Sequence, residues 1–241
     1  MRKSVVVALT AVFAAVHAVL YFASFGLWRN WAIYLAPIEG IVLGPVAGFS
    51  ASLIGGLTAR MIRPDEFWMF GIVAEPASVM ATGLLCRGRW KPVMVAYAVM
   101  LSAYFLHPFG RALPLWAILD VLAAFLLIYA TAKLSKGLPD MDFARLPLVL
   151  ALISFVCIAT DSLVRIFLLV PCGFYMLFPG FFGTFEGLYI AFAGAALYSY
   201  AEDLLVVVVS LVAGVPILKA LSKLDLFGNK RRESKDEVRL C

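Results

Sequence analysis

Charge is scarce in this 241-residue chain: 15% of its residues are Asp, Glu, Lys or Arg, against about 25% in an ordinary soluble domain. With 63% apolar residues and a mean hydropathy of +0.97, that scarcity excludes a water-soluble fold. Histidine and cysteine are also sparse. The two histidines, His17 and His107, are far apart, and the four cysteines (Cys86, Cys157, Cys172 and Cys241) form no C-x-x-C. Neither a zinc motif nor a disulfide framework is present. There is no G-x-x-x-x-G-K-[ST] for ATP, no H-E-x-x-H and no G-x-S-x-G nucleophile turn. The expectation is a non-enzymatic protein without metal or cofactor, in which any ATP-driven step depends on another subunit.

The net charge of +5 does not point to nucleic acid, because seven of the twenty basic residues lie in the last 23 positions, from Lys219 to Arg239. A charged cytoplasmic tail over 222–241, following a transmembrane helical domain over 1–221, accounts for it.

A helix rises 1.5 Å per residue, so about 20 apolar residues cross the hydrocarbon. Five blocks meet that ruler or approach it: 5–25, 67–86, 92–107, 113–134 and 146–170. The first follows Arg2 and Lys3 as a signal peptide would, but it is too long for a signal h-region and is read as a retained helix. Within 33–62, Gly44-Pro45 interrupts the pattern, because proline lacks a backbone donor and restricts its predecessor. Two short helices, 31–43 and 46–62, are expected there. The last apolar stretch divides into a segment over 187–201 and a true span over 204–221. Eight spans with a cytoplasmic N-terminus leave fifteen basic residues inside and five outside. Merging the two short helices gives seven spans, and both counts put the C-terminus in the cytoplasm. The fold expected is an all-α polytopic membrane bundle of six to eight transmembrane helices.

In lipid, small residues at four-residue spacing let helix backbones approach. Gly40, Gly44, Gly48, Ser52 and Gly56 form such a ladder, and Ala11/Ala15 and Ala14/Ala18 pair on the first helix. Either set serves internal packing or a partner helix. Charges inside apolar segments are expensive and mark functional groups or paired ones. Asp161 and Arg165, one turn apart, suit a self-neutralised bridge. Glu39 and Glu75 adjoin Pro37 and Pro76, where freed carbonyls and a carboxylate can line a polar cavity. Glu202 and Asp203 point about 100° apart on a helix, which suits packing or an interfacial place better than a facing dyad. Aromatic residues gather at expected membrane boundaries, among them Trp28, Trp31, Phe67, Trp68 and Trp116. The run from Phe178 to Phe185, with Pro179, Gly180 and Gly183 among its phenylalanines, has the composition of a mobile lid.

The stretch from Pro37 through Ile-Glu-Gly-Ile-Val-Leu-Gly-Pro45 to Gly48, followed by Ser52-Leu-Ile-Gly-Gly56, resembles the second and third helices of the substrate-binding S-components of energy-coupling factor (ECF) vitamin transporters. The alanine pairs of the first helix look like that family's contact with its transmembrane coupling subunit, and 210–219 is similar to its last helix. The resemblance covers residues 5–90 and 204–221. It implies a small six-helix membrane protein that captures a water-soluble vitamin or precursor outside. Such a protein docks on a coupling subunit bearing two cytosolic ATPases and topples to release its cargo. Seven or eight spans depart from that pattern.

Carried onto this chain, the resemblance makes Ala11, Ala15, Ala14 and Ala18 the docking surface. It puts the ligand among Trp28, Trp31, Trp68, Glu75, Phe181 and Phe182. A planar ring would stack on tryptophan, and the surplus of embedded carboxylates over arginines leans towards a positively charged ligand such as thiamine. Two other readings remain: a membrane enzyme acting on a lipid or prenyl group through Glu39, Glu75 or Glu202-Asp203 with a metal, and a stand-alone secondary carrier.

Overall fold

The computed structural model describes residues 3–23, 29–65, 67–136, 138 and 144–223. Trp28 and nearly all of the expected tail lie outside that set. The described residues form helices α1 (Lys3–Phe22), α2 (Ala36–Leu43), α3 (Pro45–Ile62), α4 (Trp68–Cys86), α5 (Trp90–Leu106) and α6 (Pro108–Ala112). The chain continues with α7 (Leu119–Ser135), α8 (Leu146–Leu169), α9 (Pro179–Phe182), α10 (Phe185–Val209) and α11 (Val215–Lys223). The protein is an all-α, multi-pass membrane bundle. Five helical stretches, Lys3–Phe22, Trp68–Cys86, Leu115–Ser135, Leu146–Leu169 and Phe185–Leu221, are long and apolar enough to cross a bilayer, and Trp90–Leu106 is a shorter apolar helix.

The bundle has apolar side chains on its outside as well as in its core. Val7, Val19, Leu126, Leu148, Ile190, Leu197 and Val212 are exposed, while His17, Arg29, Glu39, Glu75 and Asp161 are buried. An apolar surface over buried charge suits a solvent of lipid tails, which solvates leucine and rejects charge.

Tight backbone contacts fix the helix directions. Added Cβ atoms at Gly40 and Gly48 would strike Val79 or Thr82 of α4, and one at Gly83 would lie 2.4 Å from the Pro45 nitrogen. The glycine ladder therefore packs α2 and α3 onto α4. On the other side of α3, Gly55 faces the Ala14 carbonyl and His17 of α1. The α2–α3 turn needs Gly44, whose φ of +79° lies in the left-handed region, and Pro45 then starts α3 where its missing N–H loses no bond. The expected break at Gly44-Pro45 is thus the observed one.

α1, α3, α5 and α8 run one way, and α2, α4, α7 and α10–α11 the other. The second pass is broken: residues 29 and 30 enter the bundle as non-helical chain before a 3-10 turn, Trp31–Tyr34, and α2 complete it. The Asn30 side chain caps that turn, its Oδ1 accepting from the Ala32 amide at 3.0 Å. Discontinuous helices are tolerated at membrane depth where protein or a cavity satisfies the backbone.

The last pass differs from the expected pair of segments. α10 and α11 form one rod, joined by a π-helical turn at Ser210–Gly214. Pro216 follows that turn; a widened turn absorbs the bond that proline cannot make.

Basic side chains divide unevenly between the two ends. Lys3, Arg87, Arg89, Lys91, Lys133, Lys136, Arg145 and Lys219 belong to the Gly44 end, and only Arg63 and Arg111 to the opposite, Phe67 end, among the described residues. Arg29, Arg60 and Arg165 turn inward.

Candidate functional site

Inside the bundle, charged residues from seven passes meet in one network. Glu75 of α4 is its hub. Its Oε1 accepts from Arg60 Nη2 at 2.6 Å, Asn30 Nδ2 at 2.9 Å and Arg165 Nη2 at 3.4 Å. Its Oε2 lies 3.2 Å from Arg60 Nη1 and 3.3 Å from His17 Nε2. The other ring nitrogen of His17 is 3.3 Å from Glu39 Oε2, so the imidazole bridges two carboxylates. Arg60 also lies over the Tyr21 ring, 5.0 Å from its centroid.

A second knot surrounds Arg29. Its Nε is 3.4 Å from Asp161 Oδ2 and 3.6 Å from Glu202 Oε2, and its Nη1 is 3.4 Å from Asp203 Oδ1. Its Nη2 donates to Ser162 Oγ at 2.7 Å and Ser199 Oγ at 3.5 Å. Asp161 joins the two knots, because Arg165 Nε donates to its Oδ2 at 2.7 Å. The expected Asp161–Arg165 bridge is therefore present, though it is a link in a larger network. Glu202 and Asp203 are buried and both pair with Arg29, the packing role expected as one alternative for them. Asp120, in the first turn of α7, faces Asp203 and Arg29.

Glu39, Glu75, Asp120, Asp161, Glu202 and Asp203 outnumber Arg29, Arg60 and Arg165 in this interior. Isolated charge in a low-dielectric medium is costly, so such an interior favours an added positive charge, carried by His17, a proton or a cation. Among the described residues, one oxygen each of Glu39, Asp120 and Asp203 has no hydrogen-bond donor on a cationic or neutral side chain.

Above the network, towards the Phe67 end, lies a cavity of about 210 Å³ between α8 and α10. Arg29, Arg165, Ser162 and Ser199 supply its polar surface, and Phe67, Phe70, Phe182 and Phe192 supply aromatic walls. Phe182 belongs to α9, in the segment with the composition of a lid. There Phe178, Phe181 and Phe182 approach the Phe67 ring with centroids 5.2, 6.0 and 5.9 Å away. Aromatic pairs at such spacing hold without directional bonds and separate at modest cost.

The ligand residues expected from the sequence separate in space. Phe182 lines the cavity and Glu75 sits behind it, bonded to Arg165. Phe181 is 60% exposed and only braces the aromatic cluster. Trp68 is 42% exposed and is not part of the wall. Trp31 starts the 3-10 turn and packs on Tyr34 at 5.4 Å. Trp28 lies outside the described residues. The embedded carboxylates do not line the cavity; arginines do, with the acids behind them. Sequence reasoning missed Arg29, Ser162 and Ser199 as wall residues. A signal was there: Asp161, Ser162 and Arg165, and Ser199, Glu202 and Asp203, put polar groups at helical spacing in two apolar helices.

A shallow groove runs between α1 and α3 on the lipid-facing side. Ala11, Ala14, Ala15 and Ala18 border it with Ala47, Ser50, Gly55 and Thr58. Ala11 and Ala15 are exposed and Ala18 half-buried, but Ala14 is buried against Gly55. Of the four, Ala14 has an internal packing partner.

No family model matches the chain, and no solved structure matches it. An uncharacterized protein of Methanocaldococcus jannaschii is 28% identical over 131 residues, covering 54% of this chain and 44% of that protein. The match thus spans less than half the length of this relative.

Proposed function

We propose that this membrane protein is the solute-capture subunit of an ECF-type importer for a water-soluble vitamin or related small molecule. The observation that carries the reading is the pairing of two separate features in one bundle. One is a ligand-sized cavity at the Phe67 end, and the other is an exposed small-residue groove on α1 and α3. Capture needs only the first. The second suits helix-to-helix docking, because small side chains let another backbone come close. A coupling subunit with two cytosolic ATPases would fill that role, and the chain's lack of a phosphate-binding loop is consistent with energy supplied in trans.

Charge supports one orientation. The Gly44 end is rich in lysine and arginine, as cytoplasmic ends are; the proposal therefore takes the C-terminus as cytoplasmic and the cavity as opening outward. The test is binding followed by uptake. Purified chain should be stabilised against heat by one member of a water-soluble vitamin panel at micromolar concentration. Accumulation of that compound should require ATP and the partner subunits. Absence of any stabilising compound, or uptake by the chain alone, would overturn the proposal.

A stand-alone carrier is the second reading, favoured by the surplus of buried carboxylates and the unpartnered oxygens of Asp120 and Asp203, groups suited to taking up protons. Proton-driven uptake by the purified chain in liposomes would support it.

A further inference from the structure

The hydrogen-bond donors at the cavity floor are incompletely used. A guanidinium has five N–H groups. Arg165 spends Nε and Nη2 on Asp161 and Glu75, at 2.7, 3.3 and 3.4 Å. Its Nη1, with two N–H groups, has no acceptor among the described residues, and the side chain is 24% exposed at the cavity. Beside it, Ser162 Oγ donates to the Ile158 carbonyl at 3.2 Å, whereas Ser199 Oγ accepts from Arg29 and keeps its own hydrogen. Among the described residues, no acidic side chain lines the cavity. The surface therefore offers donors backed by positive charge, below apolar walls that include Phe67, Phe70, Ile166 and Leu169.

We infer that the cavity selects a carboxylate borne on an apolar, ring-sized body, with the carboxylate oxygens on Arg165 Nη1 and the Ser199 hydroxyl and the body among the phenylalanines. The inference rests on the capture reading and deepens it by naming the substrate class. Three physical points favour the anion. A planar guanidinium matches a carboxylate in shape. Charge-assisted hydrogen bonds are about twice as strong as neutral ones. Within the cavity, an ammonium would face guanidinium and hydroxyl groups and, among the described lining residues, no acid. The volume of about 210 Å³ corresponds to roughly seven waters at ~30 Å³ each, which suits one ring with a short acidic chain. The surplus of carboxylates, which by itself leans towards a cationic ligand, lies behind the arginines and sets their positions.

The experiment uses three probes of one shape, 3-phenylpropionate, 3-phenylpropanamide and 3-phenylpropylamine, titrated calorimetrically against the full chain in lipid nanodiscs at neutral pH. The acid is expected to saturate below ~10 mM and to bind about tenfold tighter than the amide, a difference of about 1.4 kcal/mol, with the amine weaker still. Arg165→Lys, which keeps the charge and loses Nη1, should remove that preference. Ala195→Phe, which fills the cavity from α10 and removes no charged group, should abolish binding of the acid and keeps the test open if the arginine variant does not fold. Equal affinities, tighter binding of the amine, no saturation by the acid, or acid binding that survives Ala195→Phe would each overturn the inference. None of these results depends on a coupling partner, so a failure here and a failure of the importer reading are distinguishable.

Discussion

Replacing Glu75 by glutamine removes one charge and turns an acceptor into a donor at the most crowded point of the bundle. Five N–H or ring-nitrogen contacts converge on this carboxylate, three at Oε1 and two at Oε2. A glutamine amide satisfies one side and presents hydrogens to the other. Arg60, 5% exposed, then keeps its charge without a full counter-ion. Breaking a buried pair in this way costs about 3–5 kcal/mol. At roughly 2–4 °C per kcal/mol for a chain of this size, the melting temperature in detergent should fall by roughly 6–20 °C. Glu39→Gln is the control. Glu39 is as deeply buried but has one partner, His17 at 3.3 Å, and an oxygen with none. Its loss should cost no more than about 1.5 kcal/mol, one hydrogen bond. Thermal unfolding of the two variants side by side decides the matter. A Glu75→Gln protein within about 2 °C of wild type, on the same scale, or two variants equally destabilised, would refute the hub.

Other expectations follow from the same geometry. Gly83→Leu puts a side chain onto the backbone of Gly44 and Pro45, 2.4–2.6 Å from the nearest atoms. The overpacking should cost at least about 1–3 kcal/mol, read as a lower melting temperature or loss of folded protein, whereas Gly194→Leu, with nothing within 4 Å of its Cβ, should leave the melting temperature near wild type. Cys172 is exposed at the Phe67 end and Cys157 is buried. A membrane-impermeant maleimide applied to intact cells bearing a Cys241→Ser chain should therefore label Cys172, and labelling only after lysis would reverse the orientation.

The membrane bundle was legible in the sequence because lipid imposes one simple demand, long apolar helices, and composition reports it. The Gly44-Pro45 turn was legible because both residues carry backbone constraints that hold wherever they stand. What escaped depended on tertiary contact. Arg29 reads as a loop residue beside tryptophans, yet the second pass enters the bundle as non-helical chain and delivers it to Asp161, Glu202 and Asp203. No local pattern announces that re-entry. Trp31 and Trp68 were attractive as stacking platforms, but indole side chains at membrane boundaries are common for reasons unrelated to ligands, and neither forms the cavity wall. The arginine-lined floor was hidden because counting embedded charges gives their sum without saying which of them face the empty space.

We propose that a coupling partner docks on the groove between α1 and α3. This docking is tested most directly by purifying the wild-type chain and an Ala15→Trp variant from their native membranes and weighing what accompanies each. Ala15 is exposed, so the indole fits without disturbing the bundle and should leave its melting temperature unchanged. The wild type should bring a membrane subunit and ATP-hydrolysing subunits with it, while the variant comes alone. A wild-type chain recovered by itself, or a variant that retains the same companions, would contradict it.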